Sequence, residues 1–175
     1  ASGASIFIVE ISGAVGGPMN TDINGAEFIL DVDGDSSITA DTDDQIDFKA
    51  GGTDRFVLSS ANAKFNVGAY NAEATLTDAS TISWDVSTSP VAKVTLGGNR
   101  TLGAATNAQT GQFVSILFIQ DGTGSRTITF NAAYEHTEDT APTLTTTASK
   151  GDLFVYRYNG SKFLEVGRNL NLTLS

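Results

Sequence analysis

Residues 112–130 read QFVSILFIQDGTGSRTITF, and this stretch decides the fold class. Residues 113–119 are apolar at odd and even positions alike, with Ser115 the one polar exception. A strand with one wet face alternates. A strand that is apolar on both faces belongs in the middle of a sheet. The run falls well short of the ~18 apolar residues of a membrane span. It ends at Asp121-Gly122-Thr123-Gly124, which reads as a hairpin turn, and a second strand follows over 126–130.

Outward from this stretch the same grammar repeats. Short β-branched runs are expected as strands at 81–86, 91–96, 112–120, 126–130, 143–147, 152–158 and 162–166. Ser89-Pro90, Gly97-Gly98-Asn99 and Asn159-Gly160 separate them, the last marking a hairpin tip. Seven short strands at regular spacing predict a β-sandwich of jelly-roll type. Composition agrees: 22 Thr and 18 Gly carry the polarity, while charged residues make up 17% against a usual ~25%. Such a mix suits strands and turns and disfavours helices. The chain is read as all-β.

Charge divides the chain. Residues 1–60 hold 11 acidic and 2 basic residues, and residues 61–175 hold 9 and 8. That asymmetry predicts two structural units. The first reads as short strands at 6–11, 28–30, 37–40, 45–49 and 55–58, each with one narrow apolar stripe. Ile46 and Phe48, and Phe56 and Leu58, alternate with polar residues. A meander this thin has little interior of its own, so other copies of the chain are expected to cover it. Ile46, Phe48, Phe56 and Leu58 are therefore oligomerisation candidates. Ile6, Phe7, Ile8 and Val9 form an apolar strand next to a glycine cluster, suited to attachment on another chain's sheet or to pairing within its own. The expected organisation is an arm over 1–22, an acidic β stalk or trimerisation region over 23–72, and a β-sandwich domain over 73–175. The chain does not open on Met, which reads as a processed chain or a fragment.

Several function classes drop out. A net charge of -10 argues against nucleic acid as a partner. The absence of cysteine excludes disulfides, thiolate metal sites and cysteine nucleophiles. His136 has no partner histidine and no G-x-S-x-G motif accompanies it, so it reads as a surface loop residue. No catalytic residue is assigned, and no enzyme activity or membrane insertion is expected. Asp31, Asp33 and Asp35 around Gly34 offer alternate carboxylates to calcium, or else form a solvated acidic turn; the spacing does not fit an EF-hand. No other cofactor is expected. Tyr134, Tyr156 and Tyr158 either stack on glycan rings or pack in the core.

Residues 23–60, INGAEFILDVDGDSSITADTDDQIDFKAGGTDRFVLSS, resemble a segment common in tail-fibre-like proteins of tailed bacteriophages. The C-terminal part is similar to the β-domain of phage fibre and virion proteins. The motifs are VTLGGNRTL at 94–102, Q-D-G-T-G-x-R-x-I-T-F at 120–130, A-P-T-L-T at 141–145, and a G-D-x-F-x-Y hairpin ending in Y-N-G at 160. Together the two resemblances span roughly 23–172. They imply a structural virion protein on the exterior of the phage particle, usually a homotrimer, with an intertwined β stalk and a β-sandwich head. The expected function is a trimeric tail or head fibre that attaches to the host surface. The alternatives are a capsid decoration or cement protein, and a bacterial adhesin or carbohydrate-binding module. The implied partners are further copies of the chain, capsid or tail proteins, and host-surface glycan.

Overall fold

Alternating burial along Val91–Leu96 and Phe113–Gln120 shows where the main core lies: Ala92, Val94, Leu96, Val114, Ile116 and Phe118 all point inward. The structure, a computed structural model, describes residues 27–174. These fall into two units that part between Ala69 and Tyr70.

In the first unit, β1 (Phe28–Ile29), β2 (Ser37–Thr39), β3 (Gln45–Ala50), β4 (Thr53–Ser59) and β5 (Ala63–Phe65) pair antiparallel in chain order. Gly51 and Gly52 have φ of +60° and +68°, the left-handed pair that a tight β3–β4 turn needs. The β5 strand was not expected from sequence. The expected arm over 1–22, with Ile6, Phe7, Ile8 and Val9, lies outside the described residues.

In the second unit two sheets enclose one core, so the chain is all-β and this unit is sandwich-like. One sheet has the order β12 (Tyr134–Glu135), β14 (Phe163–Thr173), β13 (Lys150–Tyr158), β10 (Phe113–Gln120), β8 (Val91–Leu96), β6 (Ala74–Thr75). The other has the order β11 (Ile128–Phe130), β9 (Arg100–Leu102), β7 (Thr81–Ile82). A 3-10 turn at Thr137–Asp139 is the one helical element among the described residues.

The connectivity differs from a hairpin-built jelly roll. From β6 to β11 the chain alternates between the two sheets, and neighbours within each sheet run parallel. The path is a short coil. Parallel neighbours need a crossover, and here the crossover is the strand in the facing sheet. The glycine turns at 97–98 and 121–124 are therefore corners between sheets. The 121–124 turn is not the tip of a hairpin, a correction to the sequence reading. The hairpin β13–β14 then closes the coil by laying β13 antiparallel on β10. Its tip is the expected Asn159-Gly160, with Asn159 Oδ1 accepting from the amides of Ser161 (2.9 Å) and Lys162 (2.7 Å).

Register stacks the inward residues in rows. Ala74, Ala92, Ile116 and Phe154 form one row, and Val94, Phe118 and Asp152 the next. Phe130 of β11 meets Phe118 and Phe154 edge-on at 6.0 and 5.6 Å, which joins the two sheets. Asp152 is 1% exposed and fully used: Oδ2 accepts from Thr145 N and Oδ1 from Asn171 N. This accounts for an expected strand that is missing. Segment 143–147 gives its polar groups one at a time, Thr145 N to Asp152 and Thr146 O to Ser125 N, and so forms no ladder.

Candidate functional site

Antiparallel partners directly opposite one another share a face. The register of the first unit places Phe28 opposite Ile38, Ile38 opposite Phe48, Phe48 opposite Phe56, and Phe56 opposite Phe65. One apolar row thus crosses all five strands. Beside it runs Ile46, Leu58 and Ala63. Ring centroids are 5.5 Å apart for Phe48 and Phe56 and 4.8 Å for Phe56 and Phe65. The row is open: Phe28 is 57% exposed, Phe48 39% and Phe65 59%. On the opposite face Ser37, Thr39 and Asp47 are buried, and Thr39 Oγ1 has no hydrogen-bond partner among the described residues. The sheet thus closes its polar side and leaves its apolar side to solvent. Contiguous exposed apolar patches of this kind are uncommon on monomeric proteins.

The four residues expected to oligomerise, Ile46, Phe48, Phe56 and Leu58, all lie on this face. Phe28, Ile38 and Phe65 belong with them and were missed. A signal existed: Phe28, Ile38 and Phe48 recur at ten-residue steps, the period of one strand plus one turn.

The acidic turn lies between β1 and β2. One carboxylate oxygen each from Asp31, Asp33 and Asp35 lies within 4.8 Å of the others, and all three residues are exposed. Asp31 Oδ1 also accepts from the amides of Gly34 (3.0 Å) and Ser36 (3.3 Å), and Ser36 Oγ donates to Asp35. Hydrogen bonding from Ser36 and Gly34, partly offset by desolvation, holds the Asp31 carboxyl below its ordinary value. The turn is thus organised by its own backbone. Three monodentate carboxylates would supply about half of the 6–8 oxygens that calcium takes.

In the second unit the sequence candidates are core residues. Tyr134 is 5% exposed and Tyr156 is fully buried, and burial raises both phenols far above their ordinary value. Tyr134 stacks on Phe163 at 5.4 Å and donates to Gly103 O. Neither ring offers a face to a sugar. Tyr158 is half-buried and packs on Phe163 at 4.7 Å. Trp84 is 1% exposed, with Nε1 donating to Ser89 O at 2.7 Å. His136 departs furthest from expectation. Instead of a surface loop residue it is 9% exposed, its Nε2 lies 3.2 Å from the Tyr156 hydroxyl, and its ring sits edge-on to Phe130 at 4.6 Å. Its apolar neighbours come from β11 and β13, which local sequence around His136 does not reveal.

A family model described as "Putative phage tail fibre C-terminal domain" matches residues 75–162, half of the chain. The match begins in β6 and ends at the tip of the β13–β14 hairpin, so it takes in the whole coil. No curated protein matches the chain.

Proposed function

Because the chain belongs to the phage tail fibre C-terminal domain family, and is thus a structural component on the exterior of a phage particle, we propose that it works as a homotrimeric fibre subunit that helps attach the particle to its host. The first unit joins the copies, and the second is the part presented outward. Capsid or tail proteins hold the fibre on the particle, and a host-surface glycan is the proposed receptor. The role is cohesion and presentation, with no chemical step.

The observation that supports this reading is the open apolar row from Phe28 to Phe65. A five-stranded sheet with its apolar side facing water is incomplete as a monomer. Further copies supply the same row, so the covering surface has matching chemistry without a second gene product. Light scattering on the purified chain tests it. A mass of about 55 kDa is expected, three chains of 18.2 kDa. The double variant Phe48→Ser/Phe65→Ser changes only exposed rings and should lower the mass to one chain while leaving the far-ultraviolet β signal in place. A wild-type chain that stays at 18.2 kDa at every concentration removes the reading.

A further inference from the structure

We propose that His136 is a proton-operated latch that holds the edge strand β12 against β14. The latch follows from how β12 is held inward: by the buried Tyr134, whose ring meets Phe130, Tyr156 and Phe163, and by His136 just beyond it. That strand is two residues long, at the end of its sheet, and pairs with β14 through Tyr134 opposite Phe163 and Glu135 opposite Leu164. Beyond this ladder, Ala133 O accepts from Phe163 N and the Tyr134 hydroxyl reaches Gly103 O. His136 comes next in the chain and carries the anchor inward. Its ring sits against Phe130 of β11 and Tyr156 of β13, so it ties the edge of one sheet to both the middle of that sheet and the facing sheet.

The groups around the ring decide what a proton does there. From β13 comes the Tyr156 hydroxyl, which burial keeps protonated. From β14 come Glu165 and Arg168, which meet each other at 3.3 Å. The Glu165 side chain is 3% exposed, and its Oε2 has no hydrogen-bond partner among the described residues. From β12 itself comes Glu135, which pairs with Lys162. Phe130 of β11 brings no charge. Both nearby carboxylates already meet a cation, although Glu165, opposite Tyr156 in the β13–β14 register, keeps one oxygen without a partner among the described residues; the remaining surroundings are aromatic. A neutral ring with its hydrogen on Nδ1 accepts the Tyr156 hydroxyl proton at Nε2. A charged ring must donate at that nitrogen, and the hydroxyl must then turn its hydrogen away from the ring to another acceptor. Burial disfavours the charged ring, and it outweighs the attraction of Glu165, so the group is held below its ordinary value of 6.5.

The sign of the pH effect follows. The released, solvated histidine binds a proton at higher pH than the latched one. The latch is therefore at full strength above about pH 6.5 and weakens as pH falls from that value through the lower latched one. Charging expels His136 from the ring cluster, and β12, left with Tyr134 alone facing inward, loosens while the row of Ile116 and Phe118 stays packed.

His136 is the only histidine in the chain, so its titration is unambiguous by nuclear magnetic resonance. The experiment uses the isotope-labelled full chain between about pH 5 and pH 8. His136 should titrate below 6.5, and the amides of Tyr134, Glu135, Phe163 and Leu164 should shift with the same midpoint while those of Ile116 and Phe118 hold. His136→Gln keeps a polar side chain that does not titrate, and in it the shifts of the four edge amides should vanish. Titration at or above 6.5, edge amides that ignore the His136 midpoint, loss of all signals together, or persistence of the transition in the variant each overturns the proposal. Should the variant fail to fold, agreement or disagreement of the midpoints in the unaltered chain decides alone.

Discussion

A Cβ placed on Gly124 would lie 2.5 Å from the Thr146 carbonyl oxygen and 2.8 Å from Ala148 N, and φ there is +74°. Both faults fall on backbone, which cannot swing aside as a long side chain does. Gly124 sits in the corner from β10 to β11, and Asp121 organises that corner. Oδ1 of Asp121 accepts from Thr123 N (3.0 Å) and Gly124 N (2.8 Å), and Oδ2 accepts from the Arg126 guanidinium. Arg126 first, and the Gly124 amide second, hold the Asp121 carboxyl below its usual range. Gln120 completes the corner, with its Oε1 accepting from Arg126 N and its Nε2 donating to Arg126 O, both at 2.8 Å. Gly124→Ala should cost at least about 2 kcal/mol, from the strained φ and the displaced 146–148 segment together. Urea melts check it, and a loss below about 0.5 kcal/mol would mean the corner yields easily. Gly122, two residues earlier, meets nothing within 4 Å of a built Cβ and is the natural control.

The elements carry most of the stability, and the row through β8, β10 and β13 lies in the buried core. Phe118 is 1% exposed and touches rings from both sheets, Phe154 at 5.8 Å in its own and Phe130 at 6.0 Å in the other. Phe118→Ala removes a ring that no neighbour can replace and should cost about 3–5 kcal/mol. Trp84, the single tryptophan, is buried in the same core and reports the melt by fluorescence. A cost near 1 kcal/mol would show that the two sheets do not depend on this contact. This is also the scale at which sequence reading succeeded and then stopped. Residues 113–119 announced a central strand because both of their faces are apolar, and β10 is flanked by β13 and β8. Asn159-Gly160 announced its hairpin. What was not legible was the partner of each strand. A glycine corner between facing sheets and a glycine hairpin tip use the same residues, so 121–124 reads as a hairpin when it, like the turn at 97–98, is a step in a coil. The site was legible in part for a related reason. Period-two alternation exposed Ile46, Phe48, Phe56 and Leu58, whereas β1 and β5 are too short to alternate; Phe28 is signalled only by its ten-residue step to Ile38 and Phe48, and Phe65 joins the row through register.

For the whole molecule, two opposed forces would act on the proposed self-association. The apolar row favours bringing copies together, and burial of apolar surface is little affected by simple salt near physiological strength. Charge opposes it. Each chain carries -10, and residues 1–60, which contain all of the row but its β5 end, hold 11 acidic residues against 2 basic. Most of these carboxylates are exposed, so their repulsion is a screened, long-range one. The Debye length is about 30 Å at 0.01 M salt and about 8 Å at 0.15 M. At the lower strength carboxylates on neighbouring copies repel across the whole interface, and at the higher only near neighbours do. The assembled fraction at fixed protein concentration should therefore rise as sodium chloride goes from about 0.01 to 0.15 M, read as average mass by light scattering. Calcium chloride at matched ionic strength should do no more than sodium chloride. Asp31 already serves the amides of Gly34 and Ser36, and the three exposed carboxylates fall short of a calcium shell. An excess effect of calcium that a chelator reverses would make the Asp31, Asp33 and Asp35 turn a cation site after all. A mass that falls with salt would be the more damaging result for the interface, because it would mean that ion pairs between copies hold the assembly and the Phe28–Phe65 row does not.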